Sequence, residues 1–311
     1  MELMVAAPLW AAVHAIPTGE GAIPQEAKQG WKMLLALFVE PALLVFGFFL
    51  SIVVFQAAAW LVDHTFAAVA MSAITAVTAQ NTLGVSAVTA LDPALVRQQI
   101  EAVRADIGVD AVKTGMLANA AIVREVAATL RGGGCGPLVV DPVMVSKHGF
   151  PLLEADAREA LRAELLPLAT VVTPNLPEAA VLLGCELDQL RAAAARRQAA
   201  VALAALGPRH VVLKGGHSAE TGAEADPDAV DLWYDGRGIV ELRAARLETR
   251  HTHGTGCTFS AAIAAGLARG WAVERALREA KAFVSWAIAH APELGAGSGP
   301  LNHLRREAAW T

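Results

Sequence analysis

The residues with the most evident chemistry lie near the C-terminus, where Gly254, Thr255, Gly256 and Cys257 precede a run of small residues. Two glycines one residue apart relax the backbone, and the run from Ala261 to Ala268 is typical of a helix. A loop that leads into a helix directs several backbone N–H groups and the positive end of the helix dipole at one point. This arrangement suits a phosphoryl group whose negative charge develops during transfer.

The thiol of Cys257 lies inside this turn. Backbone N–H groups and a helix dipole lower the pKa of a nearby thiol, so Cys257 could accept a proton from a substrate hydroxyl or act as a nucleophile. An ordinary glycine-rich helix entry with a buried cysteine is the alternative, because short glycine motifs recur by chance. The rest of the chain must decide between the two.

Composition excludes several classes of function. The chain has 311 residues and a formal net charge of −5, so it has no electrostatic footprint for nucleic acid. Its three cysteines, Cys135, Cys185 and Cys257, are far apart and lack CxxC spacing, which favours neither a disulfide framework nor a zinc site. This cysteine usage predicts a reducing, cytoplasmic setting.

The N-terminal part differs in character from the rest. Residues 1–32 carry several prolines and glycines without helix or strand periodicity, which predicts an irregular tail. A hydrophobic segment follows at 33–69, and its run from Pro41 to Val62 is 22 residues long without a charge. A helix of that length can cross a bilayer, so the run predicts membrane contact through 33–62. A buried core helix and a signal sequence are the alternatives.

From residue 70 onward, short apolar strands alternate with helices. The strands are predicted at 74–79, 109–113, 138–140, 171–173 and 211–213. The intervening helices are predicted at 93–105, at 120–130 and from Asn175 to about Gly184. This alternation predicts right-handed βαβ crossovers and a mostly parallel sheet with helices on both faces.

Polar residues follow the predicted strands, and the carboxyl ends of such strands are where ligands bind. They include Gln80, Lys113, Asp141, Asn175 and Lys214. Structural roles compete with functional ones here. Asn175 is a good helix N-cap and Glu178 complements the helix dipole, so this stretch alone supports a cap at least as well as a binding site.

Six motifs together resemble the hydroxymethylpyrimidine and phosphomethylpyrimidine kinases of thiamine biosynthesis, which have the ribokinase-like fold. The motifs are SAITAVTAQNT at 72–82, KTGML at 113–117, VDPVM at 140–144, TPNLPEA at 173–179, VLKGGH at 212–217 and THGTGCT at 252–258. They occur in the family's order and span about 70–301. The resemblance implies a three-layer αβα sandwich over 70–311. It also implies ATP-dependent phosphorylation of 4-amino-5-hydroxymethyl-2-methylpyrimidine and its monophosphate.

The resemblance assigns roles on the phosphate side of the site. The residues from 254 to 257 would form the anion hole for the transferred γ-phosphoryl group, and Cys257 would take the place of the catalytic base. Asp141 and Glu178 would hold Mg²⁺ through oxygen or water ligands. The residues that would bind ATP are Lys214, Gly216 and Asn175.

On the substrate side, the resemblance implies that the amide of Gln80 pairs with the aminopyrimidine edge, since an amide both donates and accepts. Met116 and Val143 would supply apolar walls. The family's glycine-rich N-terminal substrate loop has no counterpart in this sequence, because the resemblance begins at about residue 70. We therefore expect a hydrophobic helical segment in place of the family's first strand, loop and helix.

Two further readings of the function remain open beside the pyrimidine kinase. One is a pyridoxal-type kinase, since related folds with a similar glycine and cysteine turn phosphorylate that ring. The other is an impaired or inactive kinase-like protein fused to a membrane segment, because the substrate loop is missing. Gln80 in its motif favours the pyrimidine. Homodimerisation is common in the family and is expected here.

Overall fold

The computed structural model describes residues 52–57, 68–145, 149–215 and 228–303. The strands in these residues are β1 (Ile52–Ala57), β2 (Ala68–Ala73), β3 (Ala76–Gln80), β4 (Val85–Ala90), β5 (Ala111–Thr114), β6 (Leu138–Val140), β7 (Val171–Val172), β8 (His210–Leu213), β9 (Asp228–Tyr234) and β10 (Ile239–Ala245). The α-helices are α1 (Pro93–Asp106), α2 (Ala120–Arg131), α3 (Ala155–Ala160), α4 (Leu176–Leu183), α5 (Ala193–Ala204), α6 (Thr255–Ala268) and α7 (Val273–Ala289).

Within the described residues, the main sheet has the order β10-β9-β8-β7-β6-β5-β1-β2. The four strands β5 to β8 are parallel to one another and form its centre. The strands β9 and β10 continue one side as an antiparallel hairpin, and β1 and β2 continue the other side in antiparallel pairing. The strands β3 and β4 form a separate two-stranded sheet. The predicted α/β architecture with a parallel centre is confirmed.

The two faces of the sheet are covered by different helices. Successive side chains of a strand point to opposite faces. Val112, Val140 and Val211 pack in a core with α1 to α5, whereas Ala111 and Val139 pack in a second core with α6 and α7. Because the central strands are buried on both faces, their sequences are mostly apolar, although β5 contains Lys113. The molecule therefore has the predicted three layers.

Local signals in the sequence fix several helix ends. The side chain of Asp92 accepts from the Ala94 N–H at the start of α1, and that of Asn119 accepts from the Ile122 N–H at the start of α2. The helix α4 ends at Gly184, whose φ of 66° is in the left-handed region that glycine tolerates. These caps explain why the predicted and observed bounds of α1, α2 and α4 agree within one residue at most ends.

The helical prediction for the hydrophobic run is wrong at residues 52–57, which form β1. Val53 pairs with Lys113 of β5 and with Ser72 of β2. The sequence Ile52 to Phe55 is rich in β-branched and aromatic residues, which favour strands, and a strand in the middle of a sheet is as apolar as a membrane helix. The sheet thus includes residues on the N-terminal side of residue 70, the predicted start of the kinase domain.

The predicted tail at 1–32 and the remaining parts of the hydrophobic segment, 33–51 and 58–67, lie outside the described residues. In the part of the chain that is described, no helix has the length and apolar character needed to span a bilayer. In the described sheet, β1 lies between β2 and β5.

Candidate active site

Four polar side chains lie at or just beyond the carboxyl ends of the parallel strands. Each follows by two residues an apolar residue in the core beneath α6 and α7, so alternation directs all four to that face of the sheet. The four are Lys113 of β5, Asp141 after β6, Thr173 after β7 and Lys214 after β8. The predicted convergence at one edge of the sheet is therefore present.

Asp141 is the centre of the polar network. Its Oδ1 accepts from Lys214 Nζ at 2.9 Å and from Thr173 Oγ1 at 3.3 Å, and its Oδ2 accepts from Ser260 Oγ at 3.4 Å. Burial opposes the charge of this carboxylate, but the ammonium groups of Lys214 and Lys113 outweigh burial and hold the pKa of Asp141 below its usual value. Asp141 is thus an anion at neutral pH.

Glu178 has both a structural and an electrostatic role. The Asn175 N–H donates to Glu178 Oε2 and the Glu178 N–H donates to Asn175 Oδ1, each at 2.8 Å, so the two residues form a capping box at the start of α4. The same Oε2 lies 3.9 Å from Lys214 Nζ. Burial raises the pKa of Glu178 to about 7, although the charge of Lys214 opposes that shift.

Lys214 lies between these two carboxylates. Burial disfavours its charge, but Asp141 and Glu178 raise the pKa of Lys214 above its usual value, so it is a cation. Its backbone N–H donates to the Pro174 carbonyl at 2.8 Å, which ties the end of β8 to the segment before α4. Lys214 is therefore fixed through its backbone N–H and through its ammonium group.

The N-terminal turn of α6 faces the Lys214 and Asp141 side chains. Its N-cap is Gly254, whose φ of 82° requires glycine, and the helix begins at Thr255 rather than near Ala261. The backbone N–H groups of a first helical turn have no acceptor within the helix, and together with the helix dipole they can bind an anion. The turn therefore directs backbone N–H donors towards Lys214 and Asp141, and its role as an anion hole stays a prediction.

The thiol of Cys257 is partly buried within this turn. Burial raises the pKa of the thiol; Lys113 and Lys214 lower it, and Asp141 and Glu178 add to the rise. The predicted lowering of the thiol pKa by the helix N-terminus is therefore wrong for this structure. Sequence reasoning counted the helix dipole but could not include burial or the two carboxylates.

Of the predicted substrate residues, Gln80 and Val143 have hydrogen-bond partners next to the site, whereas the Met116 carbonyl is bonded to Thr75. Gln80 is the last residue of β3, and its Nε2 lies 3.2 Å from Nε2 of His253. His253 directly precedes Gly254, the N-cap of α6. The Val143 N–H donates to the Asp141 carbonyl at 2.8 Å, so Val143 is within the turn that carries the central carboxylate. The Met116 carbonyl accepts from Thr75 Oγ1 at 2.8 Å. Gly216, predicted to bind ATP, lies outside the described residues.

The sequence placed Lys113 at the ligand-binding edge but assigned it no role, and it did not indicate Ser260. Lys113 is a lysine with only 2% exposure, and its charge acts on both Asp141 and Cys257. Its position two residues after Ala111 on a buried strand was the available signal, because a charged side chain on that face must lie near the site. Ser260 is one helical turn after Gly256, and nothing in its local sequence marks it.

The carboxylates at this site fit a Mg²⁺ ion that arrives with phosphates. In proteins, Mg²⁺ is commonly held by one or two carboxylates together with substrate phosphates and water. Asp141 and Glu178 are both within 4 Å of Lys214 Nζ, so two buried carboxyl groups share one small region. Among the described residues, no group of three or more His, Cys, Asp or Glu side chains could form a metal site made by protein alone.

Comparison with known proteins identifies the family. The model of the phosphomethylpyrimidine kinase family matches residues 63–302. The chain belongs to this family. It is 51% identical over 233 residues to the hydroxymethylpyrimidine/phosphomethylpyrimidine kinase of Streptomyces coelicolor, an alignment that covers 75% of this chain and 82% of that relative. It is 44% identical over 234 residues to the Bacillus subtilis enzyme of the same name, with 75% and 83% covered.

Solved structures of related kinases have the same fold. A pyridoxal kinase of Bacillus subtilis in complex with ADP matches with a TM-score of 0.66 and 36% identity, over 75% of this chain and 85% of that chain. A phosphomethylpyrimidine kinase of Clostridium difficile matches with a TM-score of 0.59 and 37% identity, over 70% and 86%. The predicted family and its ribokinase-like fold are confirmed.

Proposed function

We propose that this member of the phosphomethylpyrimidine kinase family transfers the γ-phosphoryl group of ATP to 4-amino-5-hydroxymethyl-2-methylpyrimidine and to its monophosphate. The observation that carries the proposal is the position of the Asp141 and Lys214 pair against the N-terminal turn of α6. A cation, two carboxylates and a helix N-terminus at one point are what phosphoryl transfer from a nucleotide needs.

The phosphates of ATP would bind between Lys214 and the first turn of α6. An ammonium group has three donors, and Asp141 accepts from one of them at 2.9 Å, which leaves donors for phosphate oxygens. The N–H groups of Gly256 and Cys257 would stabilise the charge that develops on the γ-phosphoryl group. Asn175 and Gly216 would contact the same nucleotide.

Cys257 would be the base. As the bond between the substrate oxygen and phosphorus forms and the bond to ADP breaks, the proton of the hydroxymethyl group would pass to Cys257 Sγ. Because burial raises the pKa of this thiol, its thiolate is a stronger base but is less populated near neutral pH. The charges of Lys113 and Lys214 oppose that loss of thiolate.

Asp141 and Glu178 would hold Mg²⁺ near the phosphates. The ion, when bound, neutralises phosphate charge and orients the transferred group. Gln80 would pair with the aminopyrimidine edge, and Met116 and Val143 would line the ring. We further expect a cytoplasmic enzyme, because ATP is a cytoplasmic substrate and the described cysteines are free thiols. A homodimer is expected because homodimerisation is common in the family.

A pyridoxal kinase is the second candidate. The pyridoxal kinase of Bacillus subtilis superimposes with a TM-score of 0.66, against 0.59 for the Clostridium difficile phosphomethylpyrimidine kinase. The curated relatives at 44–51% identity are, in contrast, named as pyrimidine kinases. The sequence relationship favours the pyrimidine, and the two superpositions, at 36% and 37% identity, support the shared fold without favouring either substrate.

Parallel assays test the proposal. The purified full-length protein is mixed with ATP, Mg²⁺ and either the hydroxymethylpyrimidine, its monophosphate or pyridoxal, and each phosphorylated product is quantified by phosphorus NMR. We expect turnover of both pyrimidines at a higher kcat/KM than pyridoxal. Faster turnover of pyridoxal would assign the second candidate, and absence of turnover with all three would establish an inactive relative.

A further inference from the structure

A buried ion pair lies away from Cys257, between α7 and β9. Lys281 Nζ is 2.6 Å from Asp231 Oδ2, and the two side chains are only 13% and 8% exposed. Lys281 is in the middle of α7 and Asp231 is on the edge hairpin formed by β9 and β10. Neither residue belongs to the motifs that identify the family.

The second oxygen of Asp231 connects this pair to the active site. Asp231 Oδ1 accepts from the Gly215 N–H at 2.9 Å, and Gly215 directly follows Lys214. A Cβ atom at position 215 would lie 2.0 Å from the Val230 carbonyl oxygen, so the chain there passes against the backbone of β9 with no room for a side chain. The Gly215 backbone therefore lies against the backbone of β9 and is bonded to a carboxylate of the same strand.

Small movements of the Gly215 backbone would change the position of Lys214 in the proposed phosphate site. Lys214 Nζ is 2.9 Å from Asp141 Oδ1 and 3.9 Å from Glu178 Oε2, so its position decides how two carboxylates share one cation. A displacement of the Gly215 backbone moves the attachment point of that side chain. The distances from Lys214 to Asp141 and Glu178 thus depend on where Asp231 holds Gly215.

A stabilising role alone is a weak explanation for the pair. Removing two charges from water costs about as much as their attraction returns, and apolar side chains of similar volume often stabilise a core equally well or better. A carboxylate with one oxygen on a lysine and the other on a backbone N–H does, however, fix three elements in one relative position. Position is therefore what this pair provides that an apolar pair would not.

We propose that Lys281 and Asp231 are positioning residues for the nucleotide, which hold the Gly215 backbone, and with it Lys214, where Lys214 can bind the phosphates. The inference rests on the proposed function, which assigns Lys214 to the ATP phosphates. The pair acts through Lys214 and does not itself contact the transferred group.

Binding measurements on the full-length protein test this inference. The variant Lys281→Met removes the ammonium and keeps a long side chain, and titration calorimetry gives its affinity for the ATP analogue AMP-PCP with Mg²⁺ and, separately, for the hydroxymethylpyrimidine. We expect AMP-PCP to bind about tenfold more weakly, the typical effect of losing one aligned hydrogen bond, and the pyrimidine to bind within about twofold of the wild type. Lys281→Arg should restore the nucleotide affinity.

The matched control is Arg278→Met on the same helix. Arg278 pairs with Glu274 at 2.8 Å, but both side chains are 55% exposed and neither contacts the Gly215 turn, so nucleotide affinity should be unchanged. If Lys281→Met folds poorly, the double variant Lys281→Met with Asp231→Asn removes both charges and keeps an acceptor for the Gly215 N–H. The same selective loss of nucleotide affinity is expected.

The outcomes separate this inference from the proposed function. Equal AMP-PCP affinity in the wild type and the folded variants overturns the positioning role even if the wild type transfers phosphate. Equal weakening of both ligands also overturns it, because that is the result of general disruption. The wild type could lack turnover while Lys281→Met still binds the nucleotide selectively more weakly. That result supports the inference and contradicts the proposed function.

Discussion

Gly256 and Lys214 approach so closely that a methyl group at position 256 would lie 3.0 Å from the lysine Nζ and 3.7 Å from Asp141 Oδ2. The glycine is in the first turn of α6, and the lysine follows the last parallel strand. The close approach brings the N–H groups of a helix N-terminus against a buried ion pair. A methyl group at position 256 would require the Lys214 ammonium to move by a few tenths of an ångström.

Gly256→Ala should therefore affect ligand affinity and stability in opposite directions. Alanine is the better helix former by up to about 1 kcal/mol, so the free energy of unfolding should stay the same or rise. The added methyl group pushes the Lys214 ammonium aside, and we expect AMP-PCP to bind about tenfold more weakly, a loss of about 1.4 kcal/mol. Urea unfolding and titration calorimetry give the two quantities, and unchanged nucleotide affinity would contradict the anion-hole assignment.

Cys257→Ala should lower kcat by about a hundredfold while leaving nucleotide affinity nearly unchanged, as expected for loss of a general base. Steady-state kinetics with the hydroxymethylpyrimidine give kcat, and calorimetry with AMP-PCP gives the affinity. Cys185→Ala is the control, because this free cysteine follows the end of α4 and is not in the α6 turn. Turnover of Cys257→Ala at the wild-type rate would exclude the thiol as the base.

Lys113 should control the reactivity of the Cys257 thiol. Burial raises the pKa of that thiol, and the charge of Lys113 is the largest influence that opposes the rise. In Lys113→Met the thiol pKa should rise further, so reaction with iodoacetamide at pH 8 should slow severalfold because the thiolate is the reactive form. Lys113→Arg keeps the charge and should react near the wild-type rate. Mass spectrometry of the Cys257 peptide separates this reaction from those of the other cysteines.

His303 should make the stability depend on pH in the acid range. Its Nε2 lies 3.0 Å from Thr258 Oγ1, and burial lowers the pKa of His303 to about 4, below the ordinary value of 6.5. The unfolded chain binds a proton more readily than the folded one between these values, so this contribution to stability is complete above pH 6.5 and is lost as the pH falls towards 4.

Urea unfolding at several pH values measures this contribution as a difference between the wild type and His303→Gln. The two free energies of unfolding should differ by a constant amount above pH 7, where both side chains are neutral. Below pH 6.5 the wild type should lose more stability than the variant. A difference that is independent of pH down to 4 would show that His303 titrates equally in both states.

The parts of the fold that the sequence predicted are those with strong local signals. The strands β6 and β7 are short apolar runs and β5 and β8 are mostly apolar, and the cap at Asn175 follows from residue types three positions apart. The start of α6 was placed at Ala261 because glycine is a poor helix former, whereas the helix begins at Thr255. Contacts of this turn with Lys214 and Asp141 are not encoded in local propensity.

The sequence predicts which residues form the candidate site, but it does not predict how their charges and burial shift one another's pKa values. Asp141, Glu178 and Lys214 lie together because β6 and β8 end, and α4 begins, at one edge of the sheet. The direction of the Cys257 pKa shift was wrong because it depends on burial and on four charges from separate elements. The combined effect of burial and these charges on the thiol pKa depends on the folded structure and is not encoded in the local sequence.

Hydropathy alone does not distinguish a membrane helix from a buried strand in the hydrophobic run at 41–62. A proline at position 54 tests whether this part of the run forms the strand β1. Val54 pairs with Met71 of β2 and with Val112 of β5, so β1 has a strand on each side. Proline removes a ladder hydrogen bond and is excluded from central strands, so Val54→Pro should cost about 3 kcal/mol or more of unfolding free energy. Val54→Thr keeps a β-branched side chain and should fold with a far smaller loss. In a membrane helix, neighbouring groups can accommodate a proline, so circular dichroism melts in which the proline and threonine variants have equal melting temperatures would contradict the β1 strand.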